Sequence, residues 1–372
     1  MSYITGKSRA ARYSYLNPKL DHVSNTMFTT KSGEKIFVVD GHVHLWDGSD
    51  ENIKNRYGEE FIKCFYDYHK LSPKEYVWPY KKYQKYTDED FEQDVFENGY
   101  VDFAIFNPQY LGDFYHHGFS NLERNEAFRK KHPDRVITNG FWDPRNEEAG
   151  LKQLEQDAQK FGWRGVKLYT AEWKGDSKGW KLTDPWSYRY LEKSQELGLK
   201  NIHVHKGPTI RPLNKDAFDV ADVDEVASLF PDLNFIVEHC GLPRLNDFTF
   251  IAAQEPNVYA GLAVAIALIH ARPRYFSEII SELTFWLGPD RILFGSDYAL
   301  WQPKWIIEKF MDLELPEDLA AETGPLTLET KKKILGKNAA RLYHIDIGEQ
   351  NKQFGLPVSD KAEPAGTTAP VA

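Results

Sequence analysis

The chain has 372 residues, a formal net charge of −9 and two cysteines, Cys64 and Cys240. Its length suits either two average domains or one α/β barrel, and its hydrophobic fraction of 41% can form a large core. Net negative charge, with Lys and Arg interspersed among acids, argues against nucleic-acid binding. Two distant cysteines exclude a disulfide framework or cysteine-type zinc site and favour a reducing compartment. The longest apolar stretch, near residues 258–269, is too short to span a bilayer, so we expect a cytoplasmic protein without membrane partners.

Eight short apolar runs predict β-strands that alternate with helical segments. The predicted strands span residues 35–40, 101–106, 136–141, 165–169, 201–205, 234–239, 258–262 and 291–296. Apolar periodicity and charge predict helices between them, at residues 121–131, 147–161, 186–197, 223–230, 274–287 and 326–343. Eight alternating strand–helix units are typical of a (β/α)8 TIM barrel, an α/β fold whose active site lies at the C-terminal ends of its strands.

The predicted domain organisation is a barrel over residues 35–347, preceded by an N-terminal extension at residues 1–34. Residues 348–372, which become rich in Pro, Ala, Gly and Thr, are expected to form a disordered tail. A segment dense in aromatic and charged residues, about 47–99, separates the first two strands. Because it follows the first strand, it is expected as an insertion on the catalytic face. A lid or specificity loop and a packed subdomain or oligomer contact are both open interpretations.

The first predicted strand leads into two histidines separated by one residue, His42 and His44. Side chains alternate between the two faces of a strand, so this pair points the same way and can bind one metal ion. Asp40 has the same parity and can orient or supplement the pair. Alone, the motif also fits ordinary packed or surface histidines, so its meaning depends on ligands at other strand ends.

Three further strands end in residues of the same chemistry, which are His205, His239 and Asp297. The C-terminal ends of barrel strands meet at one rim, so these residues and the histidine pair predict a mid-series divalent metal site with room for water. His203 shares the parity of His205 and is expected deeper in the barrel. Glu238 is expected to point away from His239, behind the barrel wall, if that strand is regular.

This pattern resembles the amidohydrolase superfamily over residues 36–345, in the branch containing aminocarboxymuconate-semialdehyde decarboxylase and related aromatic-acid decarboxylases. One motif that carries the resemblance, and that is also similar to the lactonase branch, is Asp40-Gly41-His42-Val43-His44-Leu45-Trp46. The other, similar to the last helix of the family, is Lys333-Ile334-Leu335-Gly336-Lys337-Asn338-Ala339-Ala340-Arg341-Leu342.

The resemblance implies one divalent ion, usually zinc and sometimes manganese. It assigns this ion, together with a water, to His42, His44, His205 and Asp297. It assigns His239 an acid/base role beside the metal. Binuclear members of the superfamily carry a carboxylated bridging lysine at the match of Lys167. Mononuclear relatives can also carry a lysine there, so both metal counts remain open.

Candidate substrate contacts come from the segments that follow the strands. Trp46, Trp173 and Trp301 are positioned to wall an apolar or aromatic pocket, although packing of the loops is the competing interpretation. His270 and Arg272 follow the seventh strand and are candidates for binding a substrate carboxylate, with an ordinary loop as the alternative.

The resemblance implies an enzyme that acts on a small cyclic or aromatic carboxylated compound. In a hydrolase, Asp297 takes a proton from water activated by the metal, and His239 stabilises the oxyanion or protonates the leaving group. In a non-oxidative decarboxylase, Asp297 or His239 protonates the carbon that loses CO₂. A lactonase-type C–O hydrolase is an alternative. A catalytically silent barrel that serves as partner in an enzyme complex is an alternative of another class. A homodimer is expected because similar proteins commonly form one.

Overall fold

A computed structural model gives the protein's structure and describes residues 27–353. Most of the predicted N-terminal extension and most of the predicted disordered tail lie outside the described residues. The first part of that tail differs from the prediction, because residues 348–353 belong to a helix. None of the helices in the described part of the chain is long and apolar enough to cross a membrane.

Eight strands of the described chain form parallel sheets, close to the eight predicted positions. All the strands are β1 Phe28–Thr29, β2 Lys35–Ile36, β3 Val39–Val43, β4 Phe103–Phe106, β5 Val136–Thr138, β6 Gly165–Leu168, β7 Asn201–His205, β8 Asn234–Glu238, β9 Val258–Gly261 and β10 Ile292–Leu293. Strands β3 to β5 form one parallel sheet and β6 to β10 form another, both in sequential order. Strands β1 and β2 form a separate antiparallel pair.

The two parallel sheets close on each other at two seams. At one seam, the main-chain amide of Gly140 donates to the carbonyl of Gly165 at 3.0 Å. At the other, the amide of Gly41 donates to the carbonyl of Phe294, also at 3.0 Å. Hydrogen bonds between consecutive parallel strands therefore run around a complete ring. The predicted (β/α)8 TIM barrel is confirmed.

The first predicted strand, residues 35–40, is placed incorrectly. Its beginning is β2, which pairs outside the barrel, and the barrel strand β3 starts only at residue 39. The two are separated because the amide of Val38 donates to the side chain of Asp102 at 2.8 Å rather than to a neighbouring strand. The correction shifts the strand toward its C-terminal end, so His42 lies inside β3 rather than beyond it.

Helices alternate with the barrel strands, and each predicted helix has a counterpart. The α-helices of the described chain are α1 Arg56–His69, α2 Tyr80–Gln84, α3 Asp88–Phe91, α4 Leu122–Lys131, α5 Glu147–Phe161, α6 Pro185–Glu196, α7 Asp222–Leu229, α8 Leu245–Gln254, α9 Leu268–Ala271, α10 Pro273–Leu287, α11 Pro303–Asp312, α12 Glu317–Thr323, α13 Leu328–Lys332, α14 Asn338–Tyr343 and α15 Ile347–Gln353. Local signals set their ends. Helix α5, for example, starts with two acidic residues and stops at Gly162, which adopts φ of 65°.

The predicted helix at residues 326–343 is interrupted. A π-helical turn at Lys333–Lys337 separates α13 from α14. Gly336 lies in this turn, where an added Cβ would approach the carbonyl oxygen of Phe37 to 2.1 Å. Only glycine therefore lets the closing helix pack against the chain that leads into β3.

The insertion after β3 is a packed subdomain. Trp46 is fully buried at its base, with Nε1 donating to the carbonyl of Tyr83 at 2.9 Å and its ring stacked on Phe119 at 5.3 Å. The hydroxyl of Tyr86 donates to the carbonyl of His44 at 2.7 Å. The many aromatic residues of this segment therefore form a core, and Trp46 belongs to that core.

The insertion is also tied to the loop that follows β10. His69, at the end of α1, donates from Nδ1 to the carbonyl of Leu300 at 2.7 Å. Its Nε2 accepts the main-chain amide of Trp78 at 2.8 Å. One ring nitrogen of this buried histidine therefore joins the insertion to the barrel rim, and the other holds two parts of the insertion together.

We predict that Trp46→Ala lowers the free energy of unfolding by about 3–5 kcal/mol, because it empties the centre of an aromatic cluster. Chemical denaturation measures this loss. Leu229→Ala is the control, since the side chain of Leu229 is 58% exposed, and it should cost less than about 1 kcal/mol. Equal effects of the two substitutions would contradict the packing described.

Candidate active site

Three side chains that can bind a metal converge at the C-terminal rim of the barrel. Nε2 of His42 and Nε2 of His44 are 3.1 Å apart. Oδ1 of Asp297 lies 3.2 Å from the His44 nitrogen and 3.9 Å from the His42 nitrogen. All three residues are buried, and their ligand atoms lie within 4.8 Å of one another.

The far side of each imidazole ring shows which nitrogen carries the proton. Nδ1 of His44 lies 2.6 Å from the carbonyl oxygen of Asn107, which can only accept, so this nitrogen donates. Nδ1 of His42 lies 2.9 Å from Oε2 of Glu238, whose carboxylate attracts the proton in the same way. Burial lowers the pKa of His42 to about 3, so its ring is neutral at pH 7. With the proton on Nδ1, Nε2 presents a lone pair.

Two nitrogen lone pairs and a carboxylate oxygen therefore face one point. Such a set repels itself, and a cation bound between the three groups removes the repulsion. Burial alone would raise the pKa of Asp297, but the pKa lies below its usual range because the neighbouring histidines, once protonated at low pH, would place positive charge beside the carboxylate. The carboxyl is therefore ionised at pH 7. The donor set of two imidazoles and one carboxylate, each buried and oriented from behind, fits a zinc-like divalent ion.

The backbone holds β3 and the residues after β10 unusually close. The amide of Asp297 donates to the carbonyl of His42 at 2.9 Å, and Asp297 itself adopts φ of 58°. An added Cβ at Gly295 would lie 2.7 Å from Cβ of His42. In the Gly-Ser-Asp sequence at residues 295–297, the glycine therefore lets the backbone approach β3 closely, and the aspartate supplies the carboxylate of the cluster.

His205 and His239 form a second pair beside these three ligands. Nδ1 of His239 donates to the carbonyl of Ala263 at 2.9 Å, so its Nε2 is free to accept from Nδ1 of His205 at 2.9 Å. Burial lowers the pKa of both rings. Nδ1 of His239 lies 4.0 Å from Oδ2 of Asp297. The structure thus places His239 next to Asp297, and His205 next to His239 but outside the three-residue cluster.

Glu238 lies inside the barrel rather than behind its wall. Alternation breaks immediately after it, because His239 and Cys240 adopt φ of 66° and 54°. Both Glu238 and His239 consequently face the interior. Oε1 of Glu238 accepts from Nδ1 of His203 at 2.5 Å. An added Cβ at Gly261 would lie 2.3 Å from Oε2 of Glu238, so a glycine in β9 makes room for the carboxylate.

The charge of Glu238 is stabilised by its surroundings. Burial would raise its pKa, but His42, Lys167 and the hydrogen bond from His203 hold the pKa well below the usual range. The carboxylate therefore remains an anion beneath the ligand cluster. Sequence parity alone could not identify this role, because it assumes a regular strand.

A buried hydrogen-bond network supports the ligands from below. His203 lies deeper than His205, as its parity predicts, and its Nε2 is 2.7 Å from the hydroxyl of Tyr343. The side-chain amide of Asn139 donates to that hydroxyl and to Oδ1 of Asn107, both at 2.8 Å. Helix α14 is thereby linked to the residue whose carbonyl orients His44.

Four of the five candidate substrate contacts are placed differently from one another. Trp301 is buried and lines a cavity of about 20 Å³ with His205 and Asp297, enough for about one water. Trp46 lies in the core of the insertion. His270 and Arg272 are exposed. His270 contacts the ring of Trp305 and Arg272 contacts the ring of Tyr275, away from His42, His44 and Asp297.

A larger cavity of about 360 Å³ opens between the loops that follow β4, β5 and β6. Tyr169 joins it to the histidine pair, because its ring centroid is 4.6 Å from that of His205. Lys167 contributes to its lining. Its aromatic lining residues are Tyr110, Phe141, Trp142, Tyr169, Trp173 and Trp180. Sequence analysis identified Trp173 but missed the others, whose positions after strands β4, β5 and β6 were the available signal.

The same cavity contains an acidic side chain with an altered pKa. Glu172 accepts the amide of Gly112 at 3.2 Å, and burial raises its pKa from 4.5 to about 7. Near neutral pH, a proton therefore remains on a carboxyl group that lines the cavity.

The comparisons with known proteins identify the family and the fold. A family model described as amidohydrolase matches residues 39–345. No curated protein sequence matches the chain significantly.

Solved structures share the fold at low sequence identity. An uncharacterised TIM-barrel protein from Bordetella bronchiseptica has a TM-score of 0.62 and 18% identity, covering 82% of this chain and 98% of that one. A 2,6-dihydroxybenzoate decarboxylase complexed with 2,6-dihydroxybenzoate has a TM-score of 0.55 and 15% identity, and the match covers 83% of this chain and 100% of that one. A protein from Acinetobacter baumannii, described as a probable 2-pyrone-4,6-dicarboxylic acid hydrolase, has a TM-score of 0.53 and 12% identity. The match covers 83% of this chain and 99% of that one. At these identities, the likeness establishes the barrel fold alone.

We predict that Glu238→Gln weakens zinc binding by about 10–100-fold, because a neutral amide no longer fixes the proton of His42. Competition with a chromophoric chelator measures the affinity. Glu126→Gln is the matched control, since Glu126 is also buried but pairs with Arg129 on α4. Wild-type zinc affinity in Glu238→Gln would show that this carboxylate does not support the site.

A second prediction concerns stability and pH. Between the unfolded pKa of Glu172, near 4.5, and the folded value, about 7, the folded state retains a proton that the unfolded chain has released. This contribution to stability is therefore lost as pH rises through that window. As pH rises from 4 to 8, the free energy of unfolding of Glu172→Gln should therefore increase by about 1–3 kcal/mol relative to that of wild type.

Denaturant titrations across this pH range test the second prediction. Glu148→Gln, at an exposed position of α5, is the control for removing one carboxyl group. Parallel pH profiles of wild type and Glu172→Gln would contradict the prediction.

Proposed function

Since the chain belongs to the amidohydrolase family, whose members are metal-dependent enzymes, we propose that it acts on a small cyclic or aromatic carboxylated compound. We propose non-oxidative decarboxylation as the leading reaction and hydrolysis as the second. The observation that carries this proposal is the convergence of His42, His44 and Asp297. An aromatic cavity of about 360 Å³, whose lining includes Lys167 and Tyr169 but none of these three residues, opens at the same end of the barrel. A cavity of this size accommodates a small molecule.

We propose one divalent ion per chain, zinc first and manganese as the alternative. His42, His44 and Asp297 would hold it, with His205 as the fourth protein ligand expected from the resemblance. When bound, such an ion polarises a substrate oxygen or activates water. The buried imidazole and carboxylate donors favour this class of metal over calcium or magnesium, which prefer oxygen ligands.

His239 is proposed as the acid/base residue because one of its nitrogens is fixed and the other can take a proton. Nδ1 donates to Ala263, so Nε2 is the position that gains or releases a proton. In decarboxylation, the bond to the carboxylate carbon breaks and its electron pair stays on the ring carbon. His239 or Asp297 first takes up a proton from water or from the incoming acid, and this proton then forms the new C–H bond. CO₂ leaves.

In hydrolysis, the same residues act on water. Asp297 accepts a proton from the attacking water, and His239 delivers a proton to the leaving oxygen or nitrogen. A lactonase-type C–O hydrolase would use this sequence of steps. The similarity in fold to a decarboxylase and to a probable pyrone dicarboxylic acid hydrolase is compatible with either reaction.

We propose a cytoplasmic location, a small-molecule substrate as the partner, and a homodimer as the assembly. Support for the location comes from the two cysteines, both free of disulfide bonds. The remaining alternative is a silent barrel within an enzyme complex. Such a barrel has no need for three converging ligands, each held in place from behind.

We predict that metal-replete protein releases CO₂ or a hydrolysis product from a panel of aromatic acids and lactones. His239→Asn and Asp297→Asn should each lower kcat by about 10²–10⁴-fold, because each removes a proton-transfer group. His270→Ala, an exposed position on α9, is the control and should leave kcat unchanged. Metal analysis accompanies the assay.

Each contrary result has a distinct meaning. Two ions per chain would replace the mononuclear site with one bridged through Lys167 and would favour hydrolysis. One ion without product from any compound of the panel would contradict the proposed activity. Metal-free protein that retains a binding partner, also as His42→Ala, would support the silent barrel.

A further inference from the structure

We propose that Lys167 binds the carboxylate of a planar aromatic acid in the 360 Å³ cavity and thereby determines substrate specificity. This inference rests on the proposed function, because it takes the same cavity as the substrate site. It adds the residues that recognise the acid group, which nothing in the ligand cluster specifies.

Lys167 lies in the barrel interior, where its ammonium group attracts the carboxylates of Glu238 and Asp297 without a hydrogen bond to either. It pairs in register with His203 of β7, and residues aligned in neighbouring parallel strands point to the same face. The residue is 2% exposed, and its Nζ makes no hydrogen bond within residues 27–353. A buried ammonium without a hydrogen-bond partner is costly, and an anion bound in the cavity would remove that cost.

Other buried polar groups of the cavity also lack partners in the described chain. They are the indole Nε1 atoms of Trp142 and Trp173, the hydroxyl of Tyr169, and Oε1 of Gln109. Trp142 and Tyr169 are 4% and 5% exposed. Buried polar groups are almost always satisfied in folded proteins, so several unsatisfied groups around one cavity indicate a polar ligand. Three of these four groups donate hydrogen bonds, which suits a carboxylate.

The other acidic and basic side chains that line the cavity already have hydrogen-bond or ion-pair partners. Asp143 pairs with Arg145 at 2.7 Å, while main-chain amides donate to Asp113 and Glu172 at 2.9 Å and 3.2 Å. Lys174, at the exposed rim, contacts a neighbouring asparagine side chain. Within the described chain, Lys167 is therefore the charged group of this cavity that has no hydrogen-bond partner.

The walls favour a flat ring. Trp142 and Trp180 pack with ring centroids 5.3 Å apart, and Tyr110 stacks on Phe141 at 5.9 Å with an angle of 13° between the rings. Aromatic side chains offer large apolar faces to a planar ligand. Apolar walls with a cation and hydrogen-bond donors at the base together match an aromatic carboxylate.

The test compares benzoate with benzamide, which have the same shape but differ in charge, by isothermal titration calorimetry on the metal-replete protein. Wild type should bind benzoate more tightly than benzamide by about tenfold or more, because a buried charged contact is lost in the amide. Lys167→Met should lose about tenfold or more in benzoate affinity and bind benzamide as wild type does.

Lys174→Met is the matched control, because this lysine lines the same cavity at its exposed rim. It should retain the preference for benzoate. Unchanged benzoate affinity in Lys167→Met, or an equal loss in both lysine variants, would overturn the proposal. Tyr169→Phe, which removes only a hydroxyl, provides a second test if Lys167→Met does not fold. It should weaken benzoate binding but not benzamide binding, and no change would count against the site.

Binding and turnover are separate measurements, so the two proposals can fail independently. Lys167-dependent benzoate binding without turnover of any acid leaves this site in place and contradicts the proposed function. Turnover of aromatic acids, with no effect of Lys167→Met on affinity or KM, supports the proposed function and contradicts the role of Lys167.

Discussion

The proton positions on two neighbouring histidines determine what the rest of the site can do. An acceptor behind each ring draws the proton to Nδ1, a main-chain carbonyl for His44 and the carboxylate of Glu238 for His42. Each Nε2 must then offer a lone pair toward Asp297. For either Nε2 to donate a hydrogen bond to Asp297, its ring would have to move the proton from Nδ1 and lose the contact with the acceptor behind it. The barrel thus fixes the electronic state of the ligands before any ion binds.

The supports of these ligands come from distant parts of the chain. Glu238 ends β8, Asn107 follows β4, and Tyr343 closes α14, yet hydrogen bonds connect them through His203 and Asn139. The interior of the barrel is therefore a polar network below the ligands, where an apolar filling is the more usual solution. Tyr343, the last residue of α14, belongs to this network, so hydrogen bonds as well as packing hold the closing helix to the barrel interior.

Sequence reasoning identified the barrel and the residues at its rim because both depend on short-range patterns. Strand alternation predicts that His42 and His44 share a face, and apolar runs locate the strand ends. It misplaced the first strand, because a side chain of Asp102 competes for the backbone there. It misjudged Glu238, because left-handed residues after it break the alternation. A sequence does not show which buried groups lack hydrogen-bond partners, as Nζ of Lys167 does in the described chain, because this depends on how the cavity is assembled.

The insertion after β3 has a consequence for the route into the site. Its residues bond to the carbonyl of His44 and to that of Leu300, so moving it would disturb β3 and the segment after β10 together. On that side, a cavity of about 20 Å³ reaches Asp297. The insertion therefore forms a fixed wall over the first and last strands, while the 360 Å³ cavity is lined by none of its residues and lies between the loops that follow β4, β5 and β6.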